Sequence, residues 1–329
     1  MAKDKKQLII IDSNSIIHRA YHALPPLTTK KGELVNAVYG FLLVFFKAIK
    51  DFQPDFIVAC FDFPAPTFRH KKYKEYKAKR PPAPEELYKQ IPITKEILKT
   101  FRVPIFEKEG YEADDIIGTV AQLAPKQQVL PKIETVILSG DLDTLQLINP
   151  QTKVYSLKKG VKEIILYDER QVQEKFRGLI PDQILDFKAL KGDTSDNIPG
   201  ITGIGEKTAI ALLLKFGSLD NLYQEIKKNT KKAQKLSPKL KEILLKYKEQ
   251  AFFSKSLAEI KKNAPIDFNL AKCQWGKYDK EGATQIFKKL EFYSLIKRLP
   301  EFKKFSQNNK TLLKIKQKSS KRHQLNLNF

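Results

Sequence analysis

The acidic residues offer the first chemistry. Asp12 follows the apolar run LIII, and Asp62 follows IVACF. Glu112, Asp114 and Asp115 stand together in GYEADD, and Asp141 and Asp143 in GDLD. Asp is a common helix N-cap and favours the positive end of the helix dipole, so any one of these could do no more than that. The set exceeds that role. A cap needs one acceptor per helix, whereas GYEADD supplies three acids in four residues and GDLD two in three. Seven like charges on one rim repel each other unless cations neutralise them. Oxygen donors without His or Cys select Mg²⁺ or Mn²⁺ over zinc. More carboxylates than one ion needs points to two ions. About 3.5–4 Å apart, two ions can clamp both the attacking and the leaving oxygen of a phosphodiester. Two further acids, Asp193 and Asp196 in KGDTSDNIPG, can lie on one side of a turn; an Asx-turn before Pro199 explains them equally well.

These acids need elements to position them. Strands are expected at 7–11, 55–61, 103–106, 134–139 and 152–157. Runs such as LIII and FIVACF are apolar throughout, as parallel strands buried on both faces must be. Helices are expected between them at 34–50, 85–100 and 113–124. The alternation predicts an open α/β sheet, where ligands bind outside the carboxyl ends of the strands. The acids fall at those ends. After about 168 the pattern turns helical, at 169–176, 181–190, 206–216, 218–228, 238–262 and 282–297. No Gly- or Ser-rich linker intervenes, so the two regions should pack together.

The charge balance suits a polyanionic partner. Sixty Lys and Arg against 37 Asp and Glu give +23. Only eight of the 60 are Arg, and a general Lys bias can reflect genome composition; clustering is more telling. Segment 69–80, RHKKYKEYKAKR, holds seven basic residues and one acid, and 227–241 holds seven Lys and no acid. Separate basic clusters fit nucleic acid, although solvated Lys-rich faces would look alike. An acidic metal site within a basic chain is what a nuclease requires. A kinase or ATPase would need a phosphate-cradling glycine loop, and neither GxxxxGK[ST] nor GxGxxG follows a strand. Cys60 and Cys273 cannot form a disulfide framework, and no apolar run reaches the ~18–20 residues that span a bilayer. The N-terminal MAKDKKQLIIID reads as a strand rather than a signal peptide, so a cytoplasmic protein is expected.

A second phosphate-binding element lies at PGITGIGEKTAIA, 199–211. Gly203 and Gly205 let backbone approach a phosphate. Lys207 and Thr208 open the next helix, whose free N–H groups favour an anion. The segment resembles a helix-hairpin-helix, which grips a duplex backbone without reading bases.

Five strings, in this order, carry a wider resemblance: IIIDSNSIIHRAYHALPPLT, FDFPAPTFRHKKYKEYKAKRPP, GYEADDIIGT, LSGDLDTLQLI and KGDTSDNIPGITGIGEKTA. Residues 7–298 resemble the 5′-nuclease domain family of bacterial DNA polymerase I, in the flap endonuclease superfamily. The resemblance implies a PIN-like α/β core at 1–168, with a mobile arch or clamp near 68–100. It implies a helical region at 169–300 with the helix-hairpin-helix near 185–216. The segment 301–329 lies outside it and reads as a mobile basic tail, whose LNLNF ending suggests a natural stop. By resemblance, Asp12, Asp62, Glu112 and Asp114 hold a first Mg²⁺, with Asp115 in the same cluster. Asp141, Asp143, Asp193 and Asp196 serve a second, and Mn²⁺ can replace either. Lys77 and Arg80 face the scissile phosphate, with Arg19 and Tyr76 close by. Arg69 and the hairpin residues contact DNA, and K⁺ can bind at the hairpin. The implied activity is 5′→3′ exonuclease and flap endonuclease action on DNA and RNA primers, by a monomer associated with the nucleoid and working beside a DNA polymerase. Two other classes remain open: a non-catalytic structure-specific DNA-binding protein, and a PIN-type ribonuclease.

Overall fold

The computed structural model describes residues 5–127, 132–161 and 163–301. Its centre is a six-stranded sheet of β1 (Lys5–Asp12), β2 (Phe56–Cys60), β3 (Ile105–Phe106), β4 (Lys132–Ser139), β5 (Thr152–Lys159) and β6 (Glu163–Tyr167). The order is β3-β2-β1-β4-β5-β6, and every pairing is parallel except β5 with β6. Side chains alternate across a strand. Ile9, Ile11, Ile57, Ala59, Val136 and Leu138 therefore enter one hydrophobic cluster, and Leu8, Ile10, Val58, Cys60, Ile133 and Ile137 the opposite one. Two buried faces explain why the strands read as unbroken apolar runs.

The described helices are α1 (Ser13–Ala23), α2 (Asn36–Phe52), α3 (Phe68–Lys72), α4 (Glu85–Thr100), α5 (Ala113–Gln127), α6 (Glu169–Lys175) and α7 (Ile184–Lys191). They continue as α8 (Glu206–Phe216), α9 (Leu219–Lys227), α10 (Lys231–Gln234), α11 (Pro238–Lys246), α12 (Lys248–Ala258), α13 (Lys280–Lys289) and α14 (Tyr293–Ile296). Phe41 and Phe45 of α2, Leu98 of α4 and Phe287 of α13 cover one face of the sheet. Ile116, Ile117 and Val120 of α5 cover the other. A third cluster, including Leu190, Ile204, Leu213, Leu222 and Leu244, holds the helical region together. Residues up to Leu299 pack as one unit. Among the described residues no helix is long and apolar enough to cross a membrane.

Four expectations need correction. β6 was not anticipated: it is an antiparallel edge strand, paired on one side only, so its alternation is weak. α1 was also missed, because Ser and Asn at its start mask its periodicity. The helix expected at 238–262 is two, broken at Tyr247 and ending at Ala258, after which Glu259–Asn263 carries no helix. That expected at 282–297 breaks near Glu291, whose φ of 61 no helix accommodates. The basic tail at 302–329 lies outside the described residues.

Candidate functional site

The neighbouring parallel strands β3, β2, β1 and β4 end at one edge, and acids follow each. β1 ends at Asp12, whose carboxylate caps α1 by accepting from Ser15 N at 3.2 Å. Its other oxygen accepts from Ser139 Oγ at 2.6 Å, because register places the end of β4 beside that of β1. Asp62 accepts from Ala113 N at 2.8 Å and so caps α5 from a different strand. Asp141 accepts from Asp143 N at 2.9 Å, opening the 3-10 turn Leu142–Leu147. The capping role is thus real, and it also orients the acids.

Asp12, Asp62, Glu112, Asp114 and Asp141 line one open cavity of about 570 Å³, together with Arg19, Lys77 and Arg80. Lys77 donates to Glu112 Oε1 at 2.7 Å. Arg80 pairs with Asp196 and donates from Nε to Ser195 O at 3.0 Å. Arg19 donates to Gly140 O at 3.0 Å. Burial, and the negative charge of Asp141 and Asp62, push the Asp12 carboxyl up to about 6. Burial pushes Asp114 well above the ordinary carboxylate range, against the pull of Arg69. Burial also raises Glu112, but Lys77 and Arg69 outweigh it and hold this group below its ordinary value. Lys77 and Arg80 lie on no helix. They sit in consecutive turns after α3, with Lys77 at φ 56 and its N–H bonded to Asp196 O at 3.0 Å.

Of the second set of acids, Asp141 lines this cavity, whereas Asp143, Asp193 and Asp196 lie beside it. Lys188 bridges Asp143 and Asp193, at 2.6 Å from Asp193 Oδ2. Burial and Asp141 push the Asp143 carboxyl up to about 7. Burial would raise Asp193 too, but Lys188 and Ser195 outweigh it and bring it down to about 2. The Asx-turn is present as well: Asp193 Oδ1 accepts from Ser195 N at 2.8 Å. The Tyr76 hydroxyl lies 3.1 Å from Asp196 Oδ2 and 3.0 Å from Glu112 Oε2, and its single proton is shared between the two carboxylates. Tyr76 is buried and joins the two sets of acids rather than facing a substrate.

Two assigned residues have another role. Arg69 is 1% exposed and cannot reach DNA. Its guanidinium pairs bidentately with Asp115, at 2.7 and 2.8 Å, and donates to Glu112, Leu257 O and Glu259 O. Asp115, fully buried, also accepts from Lys261 N at 2.8 Å and Glu112 N at 3.1 Å. Both of its oxygens are thus engaged, and Asp115 does not line the carboxylate cavity. Arg69 and Asp115 instead fix the start of α5 against the chain leaving α12.

The hairpin lies between α7 and α8. Gly203 has φ +89, a conformation that favours glycine, whereas Gly205 is extended at φ −92. Lys207 is exposed and Thr208 half-buried. Sequence reasoning overlooked the tighter pair: a Cβ on Gly200 would lie 2.2 Å from Gly192 N. It also overlooked Lys188, Ser139 and the α1 residues Asn14, His18 and His22, which line the cavity at four-residue spacing. Recognising α1 would have revealed that face.

A hard divalent cation fits the cavity on two observations. Five carboxylates outnumber the two histidines, His18 and His22, that share the lining, and Asp114 Oδ1 is buried without a hydrogen bond, its nearest cation being Arg69 at 4.0 Å. Among the described residues, no three His, Cys, Asp or Glu groups are drawn tightly enough to enclose an ion. Lys77 and Arg80 partner the acids as they stand.

Residues 7–177 match the family described as 5′-3′ exonuclease, N-terminal resolvase-like domain, and 179–281 match 5′-3′ exonuclease, C-terminal SAM fold. The chain belongs to the 5′-3′ exonuclease family. A 5′-3′ exonuclease of Aquifex aeolicus is 38% identical over 305 residues, 92% of this chain and 99% of its own length. DNA polymerase I of Bacillus subtilis is 42% identical over 298 residues, 91% of this chain but 33% of the polymerase. The chain thus spans about a third of the polymerases it matches. Among solved structures, T5 D15 protein co-crystallized with metal ions shares the fold at TM-score 0.64 and 19% identity, covering 87% of this chain and 99% of that one. The catalytic core of Rad2 with DNA substrate does so at 0.57 and 17%, covering 90% and 93%. The 5′-3′ exonuclease fold accounts for the mostly parallel sheet and the helical region after it.

Proposed function

We propose that the chain is a divalent-metal-dependent 5′-nuclease, a phosphodiester hydrolase with 5′→3′ exonuclease and flap endonuclease activity on DNA. The observation that carries this reading is the cavity itself, where five carboxylates, one with an orphaned oxygen, face Arg19, Lys77 and Arg80. Asp12, Asp62, Glu112, Asp114 and Asp141 would hold Mg²⁺, with Mn²⁺ able to replace it. Such ions lower the pKa of bound water and stabilise a leaving oxygen. The chain's own groups do the rest. Lys77 and Arg80 offset charge building on the phosphoryl oxygens. Tyr76 and Lys77 hold Glu112 in place. Asp143, Asp193 and Asp196, gathered by Lys188 and Arg80, would serve a second ion together with Asp141.

Gly203, Gly205, Lys207 and Thr208 would take a duplex phosphate, with K⁺ beside it. The substrates in view are 5′ single-strand/duplex junctions and RNA–DNA primers, met by a cytoplasmic, nucleoid-associated monomer working beside a DNA polymerase. The test is incubation with labelled 5′-flap DNA and with single-stranded RNA, with and without Mg²⁺. Flap cleavage that requires Mg²⁺ and is abolished in Asp12→Ala, with flap binding retained, is the expected result. Tight flap binding without cleavage would make the chain a binding protein. Preferential cutting of RNA would make it a ribonuclease.

A further inference from the structure

Away from the carboxylates, α9, α11 and α12 enclose a separate concavity of about 420 Å³. Ligand clefts commonly measure about 300–1,000 Å³. The floor is apolar, formed by Ile226, Leu245 and the rings of Tyr223 and Phe252. It is also fixed. Tyr223 is buried, its hydroxyl donates to Leu244 O at 2.9 Å, and its ring lies 5.5 Å from that of Phe252. Leu245 is 52% exposed, although its neighbour Leu244 is fully buried. The rim is basic: Lys227, Lys241 and Lys248 stand around the opening. The acid there, Asp220, is already taken by Lys255 at 2.6 Å.

An apolar floor within a cationic rim favours a peptide over nucleic acid. Phosphates follow an open track of cations and gain nothing from leucine below them. Base stacking needs a free ring face, and Tyr223 is packed against Phe252. An open apolar hollow instead takes a bulky side chain laid onto it, and lysines at its rim pair with carboxylates beside that side chain. This chain's own 302–329 segment holds seven Lys, one Arg and no acid, so it does not complement the rim. A second copy, at +23, is repelled as well. We propose that the groove between α9, α11 and α12 docks an acidic peptide of a partner protein, one that presents one or two large apolar side chains flanked by Asp or Glu. The groove shares no lining residue with the carboxylate cavity, so this inference stands apart from the nuclease reading.

Fluorescence anisotropy of the full chain tests it. The probes are a labelled peptide DDLDFDD, the same peptide with every Asp replaced by Lys, and labelled oligothymidylate. The acidic peptide should bind saturably, and the lysine peptide should not. Leu245→Glu and Lys241→Glu should each weaken binding about tenfold, a loss of roughly 1.4 kcal/mol. Leu245→Gln, a milder change, should weaken it in the same direction. Melting curves should show all three variants folded, as expected for changes away from the core. Leu245→Glu should leave flap cleavage and oligothymidylate affinity unchanged. The proposal is overturned if the acidic peptide shows no saturable binding, or if both Leu245 variants bind it as the parent does. It is equally overturned if oligothymidylate displaces the peptide and is itself weakened by Leu245→Glu, which would make the groove a nucleic-acid track.

Discussion

Arg69→Met separates a buried clamp from a DNA contact. The guanidinium offers five N–H groups, and the structure supplies five hydrogen bonds: two to Asp115, one to Glu112, and one each to Leu257 O and Glu259 O. Removing one partner of a buried ion pair costs about 3–5 kcal/mol, because the other charge stays buried. Asp115 would keep two backbone donors, from Lys261 and Glu112, which places the expected loss near the lower end, about 3 kcal/mol. Against a total stability of about 5–15 kcal/mol that is a large fraction. Removing both charges in Arg69→Met/Asp115→Leu should cost less than Arg69→Met alone, since no unpaired charge remains. Urea unfolding midpoints measure both. A DNA titration across salt concentrations completes the test. A lost phosphate contact would lower the salt slope by about 1, whereas a buried clamp leaves it unchanged. A loss in Arg69→Met below about 1 kcal/mol, or a shallower salt slope in the folded variant, would refute the clamp and return Arg69 to the DNA surface.

Other perturbations probe the cavity and the hairpin. Lys77→Ala and Arg80→Ala should each slow single-turnover cleavage by about 10²–10³ while affecting binding less; binding that falls in step with rate would make them backbone contacts only. Asp12 titrates near 6 and Asp143 near 7, both above the ordinary 3.8, so the folded chain holds protons the unfolded chain has released. Their contribution to stability is therefore present at low pH and lost as pH rises from about 4 to 7. Because a cation favours the charged carboxylates, Mg²⁺ should raise the melting temperature more at high pH than at low pH. Equal gains at both would remove these two acids from the ion's surroundings. Gly203→Val/Gly205→Val should bind flapped DNA more weakly, with a shallower salt slope, and saturating DNA should restore much of the rate. Unchanged affinity and slope in a folded variant would make the hairpin a packing corner. Of the single changes, Gly203→Ala should destabilise by about 1 kcal/mol or more, because of its φ of +89, and Gly205→Ala should not.

Much of the α/β core can be read from the sequence because local signals there agree with tertiary packing. α4 runs over the expected 85–100 and α8 over the expected 206–216. Glu85 and Glu86 open α4, and glycines flank α8 at both ends. The acids were legible because several crowd into short turns after apolar strands. Residues whose role depends on distant partners were not. Lys188 looks like any other lysine until the fold sets it between Asp143 and Asp193. Arg69 opens a basic run and reads as surface charge. Its burial depends on carbonyls at Leu257 and Glu259, far along the chain. The break at Tyr247 escapes notice because apolar spacing continues across it, from Leu244 to Ala251. Yet that break, with the helix end at Ala258, turns the backbone so that Glu259 O and Lys261 N can meet Arg69 and Asp115.

Exposure then decides what each cation near the carboxylates can do. Arg69, Lys77, Lys188 and Arg80 all pair with acids, and charge alone does not distinguish them. Their side-chain exposures do, at 1, 24, 14 and 47% respectively. An ion pair sealed from water cannot trade its partner for a phosphate without leaving a bare charge behind, so Arg69 stays with Asp115. A pair at the mouth of an open cavity faces a smaller desolvation penalty and can exchange, which suits Arg80 and Lys77 to an incoming phosphate. Lys188, nearly buried but held by two acids, lies between these limits. The basic run 69–80 therefore has a structural end at Arg69 and an exchangeable end at Arg80. Tyr76, fixed between Glu112 and Asp196, sets where one gives way to the other.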